Sequence, residues 1–309
     1  MMWFLRFLGG RGTWVLFAGV FVGLGLPDLA ALMHPLLTPC VVLLLLLAFL
    51  RVNWHEALSY ARRPTLSLLV ISWILLACPV LVWLVLKATA LPEPLVTGLV
   101  LMAAAPPILG STALAIMLRL DAALSVFSCL LATLIAPLTI PILALALLDL
   151  ELEIGLWGLM LRLLVLVFGT LVAAVVLRRL VGIPRLAGLA TEIDGLMVLS
   201  MLVFAIAIMD GVTAALLQRP GVIALWVAAA FVANPALQIF GALAFAWLGR
   251  RQALTLGLAS GNRNMLLILA TLPAGVDFGV ILFIAVAQLP MYTLPALQRS
   301  LYSRFLKTP

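Results

Sequence analysis

The chain reads as an all-α polytopic membrane protein, with ten transmembrane helices arranged as two inverted five-helix repeats. Three observations carry that prediction: the composition, the lengths of the apolar runs and the sidedness of the basic residues. Hydrophobic residues make up 66% and charged residues 9% of the 309 positions, against about 25% charged in an ordinary soluble domain. A chain so poor in charge is solvated by a lipid bilayer, which is its first implied partner. The net charge of +7 is spread as single or paired residues between apolar runs. That pattern belongs to membrane orientation and excludes nucleic acid as a partner.

Taken in order, ten segments approach the ~20 residues needed to cross a ~30 Å hydrocarbon core. They are 13–32, 35–50, 65–86, 95–117, 122–148, 155–177, 193–210, 221–248, 252–272 and 276–297. The connections are short and leave no room for a soluble domain. With the N-terminus inside, fourteen basic residues fall on the cytoplasmic side: Arg6, Arg11, Arg51, Arg62, Arg63, Arg119, Arg178, Arg179, Arg185, Arg250, Arg251, Arg299, Arg304 and Lys307. Only Lys87 and Arg219 fall outside, as the positive-inside rule requires. The acidic loop Asp149 to Glu153 also falls outside. Both termini are therefore expected to be cytoplasmic, and the compact chain points to a bacterial-type inner membrane.

The N-terminus carries basic residues and a long apolar run without a small-x-small cleavage site, which fits an uncleaved first helix. Cys40, Cys78 and Cys129 each lie inside an apolar run and share no metal-ligand spacing, so they read as small buried hydrophobes. No cofactor motif is present. An intramembrane enzyme is disfavoured, because the chain holds no HExxH, no G-x-S-x-G and no pair of mid-helix aspartates. A ligand sensor would need a cytoplasmic signalling segment, and none is long enough.

Ten spans divide into 13–148 and 155–297, and five spans per half force the halves to insert with opposite orientation. The fourth span of each half is interrupted. The first reads GLVLMAAAPPILGSTALAIML, where Pro106 and Pro107 remove two backbone donors ahead of Gly110, Ser111 and Thr112. The second, span nine, is LTLGLASGNRNMLLILAT, with Gly261, Asn262, Arg263 and Asn264 at its centre. Interrupted helices at matching positions of two halves point to a midplane binding site. The prolines alone would equally suit a kink, and the hydroxyls of Ser111, Thr112, Ser125, Ser128 and Thr133 would equally suit bonds to their own helices. Arg263 stands apart, because an arginine at the centre of a span costs about 2.5–3.5 kcal/mol on insertion scales. It must face protein, water or a ligand. A structural pairing with Asp194 or with a cluster of carbonyls is the alternative to a ligand.

Two stretches, APPILGSTALAIMLRLDAALSVFSCLLATLIAPLTIPIL at 104–143 and ALTLGLASGNRNMLLIL at 253–269, resemble the bile acid:sodium symporter family of ten-helix carriers. Asn234-Pro235 in span eight is a weaker echo. The resemblance implies a panel domain and a core domain, with helices four and nine crossing in the core. It also implies sodium-site positions, matched here by Ser111, Thr112, Ser125, Cys129, Ala259, Arg263 and Asn264. The departures are chemical. Ala259 stands where the family's ninth-helix glutamate helps hold both ions, and Arg263 stands where the family has glutamine. Sodium needs hard oxygen ligands and is helped by negative charge.

Losing a carboxylate and gaining a guanidinium changes the local charge by two units and should expel a sodium ion. The expectation is a secondary transporter of a small or amphipathic organic anion, working by alternating access without obligatory sodium. Arg263 would either hold the crossover in the ion's stead or bind the anion through its planar fork. Asn262, Asn264, Ser111 and Thr112 are the expected hydrogen-bond partners, with Asn234 behind them. The alternatives are a sodium-coupled symporter with rearranged ligands, and auxin-efflux-type or arsenite carriers, which share ten helices and crossovers.

Overall fold

The computed structural model describes residues 12–148, 155–270, 272 and 275–307. Arg6, Arg11 and the acidic loop lie outside them. The described residues are almost wholly helical. In chain order the helices are α1 (Gly12–Gly25), α2 (Pro27–Arg51), α3 (Trp54–Ala61), α4 (Pro64–Lys87), α5 (Glu93–Ala104) and α6 (Ser111–Met117). Then come α7 (Ala122–Leu148), α8 (Gly155–Val181), α9 (Ile183–Gly188), α10 (Ala190–Ala207) and α11 (Val212–Gln218). The last four are α12 (Pro220–Ala244), α13 (Arg250–Gly261), α14 (Met265–Leu269) and α15 (Phe278–Lys307). Among the described residues no strand forms, and one isolated antiparallel bridge joins Pro107 to Arg263.

Among the described residues six helices are long and apolar enough to cross a membrane: α2, α4, α7, α8, α10 and α12. Helix α5 and the Phe278–Met291 part of α15 are apolar but shorter. The surface agrees with a lipid environment. Trp157, Leu161, Val165, Phe168, Val172 and Val176 recur at three- and four-residue spacing along α8, and all are exposed. A large apolar stripe on the outside of a helix is unstable against water and stable against acyl chains.

Helix boundaries follow proline chemistry. Pro27, Pro64 and Pro220 each open a helix, where a missing N–H removes no bond. The expected first span, 13–32, is corrected by this rule: Leu26 leaves the helical region at φ −128°, ψ 74°, and Pro27 starts α2. Span four, 95–117, is α5 and α6 separated by non-helical residues, because Ala105 before Pro106 is driven to ψ 145°. Span nine, 252–272, is likewise α13 and α14. The last helix runs beyond the expected 297 to Lys307, where hydropathy falls while Tyr302 stays buried.

The chain forms two compact units that do not coincide with the two sequential halves. One comprises residues up to Val52 with Val165–Leu225; the other comprises Asn53–Leu164 with everything from Trp226 onward. In the first, α10 packs on α1 and α2. Arg51 Nε and Nη2 donate to the two carboxylate oxygens of Asp194 at 2.8 and 3.0 Å, and His34 Nδ1 lies 3.0 Å from Asp210 Oδ2.

In the second unit α5 packs on α4 and α15, and α7 packs on α3, α6 and α13. Tyr60 OH donates to Asp121 Oδ2 at 2.5 Å, and burial, aided by that bond, pushes its phenol up to about 12. Asp121 Oδ1 in turn accepts from Leu124 N at the start of α7. Helix α6 ends in a left-handed cap, with Leu120 N donating to Ala115 O at 2.8 Å and Arg119 N to Ile116 O at 3.1 Å. The left-handed residue is Arg119 at φ 59°, where glycine is usual. Placing a side chain there costs about 1–2 kcal/mol.

Helices α12 and α13 meet on small residues. Gly257 and Gly261 are four apart, and a Cβ on either would sit 2.5 Å from a carbonyl oxygen of α12, Gln238 O or Asn234 O respectively. Close approach of this kind is how helices pack in lipid. Gly257→Ala should therefore lower the melting temperature of the detergent-solubilised protein, at a cost of about 1–3 kcal/mol for overpacking. Gly169→Ala, whose Cβ would meet nothing within 4 Å, should leave it unchanged.

Candidate functional site

The two broken segments cross each other inside the second unit. Ile108 N donates to Asn262 O at 3.0 Å and Asn264 N donates to Pro106 O at 2.7 Å. These two bonds flank the Pro107–Arg263 pair, so the proline sits where the antiparallel bridge asks for no N–H. The crossing thus satisfies backbone groups that the two helix breaks would otherwise orphan.

Arg263 is 1% exposed and its donors are directed at the protein. Nε donates to Ser260 O at 2.6 Å, Nη1 to Ala105 O at 2.8 Å and to Ile74 O at 3.1 Å, and Nη2 to Cys78 Sγ at 3.0 Å. Each carbonyl is free for a stated reason. Ser260 O would ordinarily accept from Asn264 N, which is committed to Pro106 O. Ala105 O stands just past the end of α5. Ile74 lies in a π-helical turn, Trp73–Ala77, where Cys78 N donates to Trp73 O. The next possible donor to Ile74 O is residue 79, a proline without an N–H.

The guanidinium therefore ties α4, the end of α5 and the end of α13 together. Asp194 is bound to Arg51 within the first unit, so the partner of Arg263 is the carbonyl cluster rather than that aspartate. Among the described residues no Asp or Glu pairs with Arg263, and its charge is neutralised only by backbone dipoles and a thiol.

Asn234 has a bonded role. Its Nδ2 donates to Gly261 O at 2.9 Å, and its Oδ1 accepts from Gln238 Nε2 at 2.7 Å. Gln238 Oε1 accepts from Tyr302 OH at 2.7 Å. A buried relay thus runs from α15 through α12 to the last carbonyl of α13. Trp73 Nε1 donates to Ser260 Oγ at 3.0 Å, and Cys129 Sγ donates to Ile108 O at 3.3 Å. Trp73, Ile74, Cys78, Gln238 and Tyr302 were not expected from the sequence. Of these only Ile74 and Cys78 left a signal, namely Pro79 inside an apolar span.

Four polar oxygens at the crossing make no hydrogen bond among the described residues: Ser111 Oγ, Thr112 Oγ1, Asn262 Oδ1 and Asn264 Oδ1. Ser111, Asn262 and Asn264 are buried, and so are Ser125 and Ala259. An apolar cavity of about 390 Å³ adjoins the crossing, lined among others by Trp73, Cys78, Leu99, Ala233, Leu237 and Phe240. Trp73 and Cys78 belong to both, since they bond Ser260 and Arg263.

The residues present do not fit a sodium ion in the place of Arg263. The three carbonyls there are already bonded to a guanidinium, Ala259 offers no side-chain oxygen, and the fixed positive charge repels a second cation. No group of three or more His, Cys, Asp or Glu side chains forms among the described residues. The chain matches no protein-family model and no characterised protein sequence.

Removing Asn234 should uncover the Gly261 carbonyl. Asn234→Leu is expected to cost about 1–3 kcal/mol for a buried unsatisfied acceptor. Gln238→Leu leaves Asn234 half-paired and should cost less. The double variant should fall short of the sum of the two losses, because both act through one relay. Thermal unfolding of the three variants checks this.

Proposed function

We propose that the protein is a secondary transporter of an amphipathic organic anion, built like the bile acid:sodium symporters that its two crossing segments resemble, and independent of sodium. The observation that carries this reading is the fully buried guanidinium of Arg263 at the crossing of two broken helices, with no carboxylate partner among the described residues. A fixed cation there does what a bound ion does in a symporter: it neutralises the carbonyl ends of α5 and α13 and holds the crossing closed. It does so at any sodium concentration.

The substrate is an anion because the same charge has no acidic counterpart among the described residues and raises the local potential in a low-dielectric place. Its apolar body matches the lining of the adjoining cavity. Polar groups on it would find acceptors in Asn262 Oδ1 and Asn264 Oδ1 and hydroxyls in Ser111 and Thr112. In this reading Arg263 attracts the anion by charge while its N–H groups stay on the protein. Ten membrane crossings in two inverted halves, cytoplasmic termini and alternating access complete the proposal, supported by the basic-residue asymmetry and the paired helix breaks.

One observation favours sodium coupling through a rearranged site instead. The unpaired oxygens of Ser111, Thr112 and Asn264 occupy positions that match the symporters' ion ligands.

Thermal stabilisation of the purified protein by a panel of organic anions separates the two readings, with sodium, potassium or choline as the cation. A ligand at a hundred times its Kd adds about 2.7 kcal/mol. The expected result is an anion-dependent rise of a few degrees, equal in all three cations and lost in Arg263→Gln. Stabilisation by sodium alone, or an anion effect that requires sodium, would establish the coupled reading.

A further inference from the structure

We propose that a second, basic crevice in the same unit, at the end of α6 away from the crossing, binds the phosphodiester headgroup of an anionic phospholipid. The crevice has a volume of about 240 Å³ and is lined by Met117, Leu118, Arg119, Arg299, Ser303 and Leu306. Its lining carries two arginines and a serine hydroxyl, and among the described residues no acidic side chain lines it. Neither Arg119 nor Arg299 is ion-paired or hydrogen-bonded through its side chain among the described residues. Two like charges facing one small space repel each other, and a bridging anion with several acceptor oxygens relieves that repulsion.

Arg119 reaches the crevice from a left-handed helix cap, the one positive-φ residue other than glycine among those described. Glycine would close the same cap without strain. The arginine's side chain therefore has a use that its backbone does not explain. The crevice floor is fixed rather than loose: Leu118 belongs to a buried cluster with Ala115, Leu120, Leu258 and Tyr302, and Leu306 packs against it.

The surroundings favour a lipid over a free phosphate. On the same two elements Ile116, Met117, Leu297, Leu301 and Phe305 are exposed at 64, 40, 71, 49 and 54%. Basic side chains bordered by exposed apolar ones form the profile of a membrane interface, with phosphate at the level of the arginines and acyl chains along the apolar surface. Arg119 and Arg299 also fall on the same, positive-rich side of the membrane in the sequence-derived topology. This inference depends on membrane insertion and not on what the crossing transports.

Delipidated full-length protein in neutral detergent tests it. Phosphatidylglycerol, phosphatidylcholine of the same acyl chains, or inorganic phosphate is added, and both lipid retention by native mass spectrometry and melting temperature are read. Phosphatidylglycerol should be retained at least tenfold better than phosphatidylcholine and should raise the melting temperature, while inorganic phosphate does neither. Arg119→Gly, which relieves the strained cap and keeps the fold, should abolish that preference, as should Arg299→Gln. Arg62→Gln, a basic surface residue elsewhere, should leave it intact. Equal retention of the two lipids, a preference that survives the Arg119→Gly/Arg299→Gln double variant, or full replacement by inorganic phosphate would each overturn the proposal.

Discussion

The structure depends on one buried cation. Crossing two broken helices inside an apolar protein leaves carbonyl groups with no intrahelical donor, and in lipid no water repairs them. Arg263 supplies the donors. Its planar fork reaches Ser260 O, Ala105 O and Ile74 O at once, a geometry that a lysine, with one mobile ammonium, does not reproduce. Burying the charge is costly, and breaking the cluster would leave acceptors unpaired as well. The arginine and the three carbonyls are therefore each other's condition for existence.

That arrangement rests on prolines as much as on the arginine. Pro106 and Pro107 end α5 and present Pro106 O to Asn264 N. Pro79 lacks the N–H that would otherwise reach Ile74 O across the π turn. Close packing completes it: Gly257 and Gly261 let α13 approach α12 closely enough for Asn234 Nδ2 to reach Gly261 O. Arg263 Nε and Nη1 and Asn234 Nδ2 each meet a backbone carbonyl released by a specific interruption, which makes the site an account of where hydrogen bonds go rather than a collection of polar residues.

Much of this was legible in the chain. The membrane class follows from composition, and the two helix breaks follow from PP at 106–107 and GNRN at 261–264, because prolines and a mid-span arginine are strong local signals. Asn234 was visible as an echo of a family motif. The partners of Arg263 were much less so: Pro79 marks the region of Ile74, but Ile74 and Ala105 contribute backbone carbonyls that any residue type could offer. The Gln238–Tyr302 link joins positions 64 residues apart and leaves no local pattern. The composition of the compact units left no local pattern, because each draws on both halves of the chain. The break at Leu26 was missed because the apolar run continues through it, and only Pro27 marks the new helix.

The most direct test of the central claim is hydrogen–deuterium exchange of the backbone across 104–112 and 258–266, in sodium chloride against choline chloride. If Arg263 holds the crossing, the amides of Ile108 and Asn264 stay protected to the same extent in both salts. Protection that appears only with sodium would contradict the account, because an ion and not the guanidinium would then be closing the crossover.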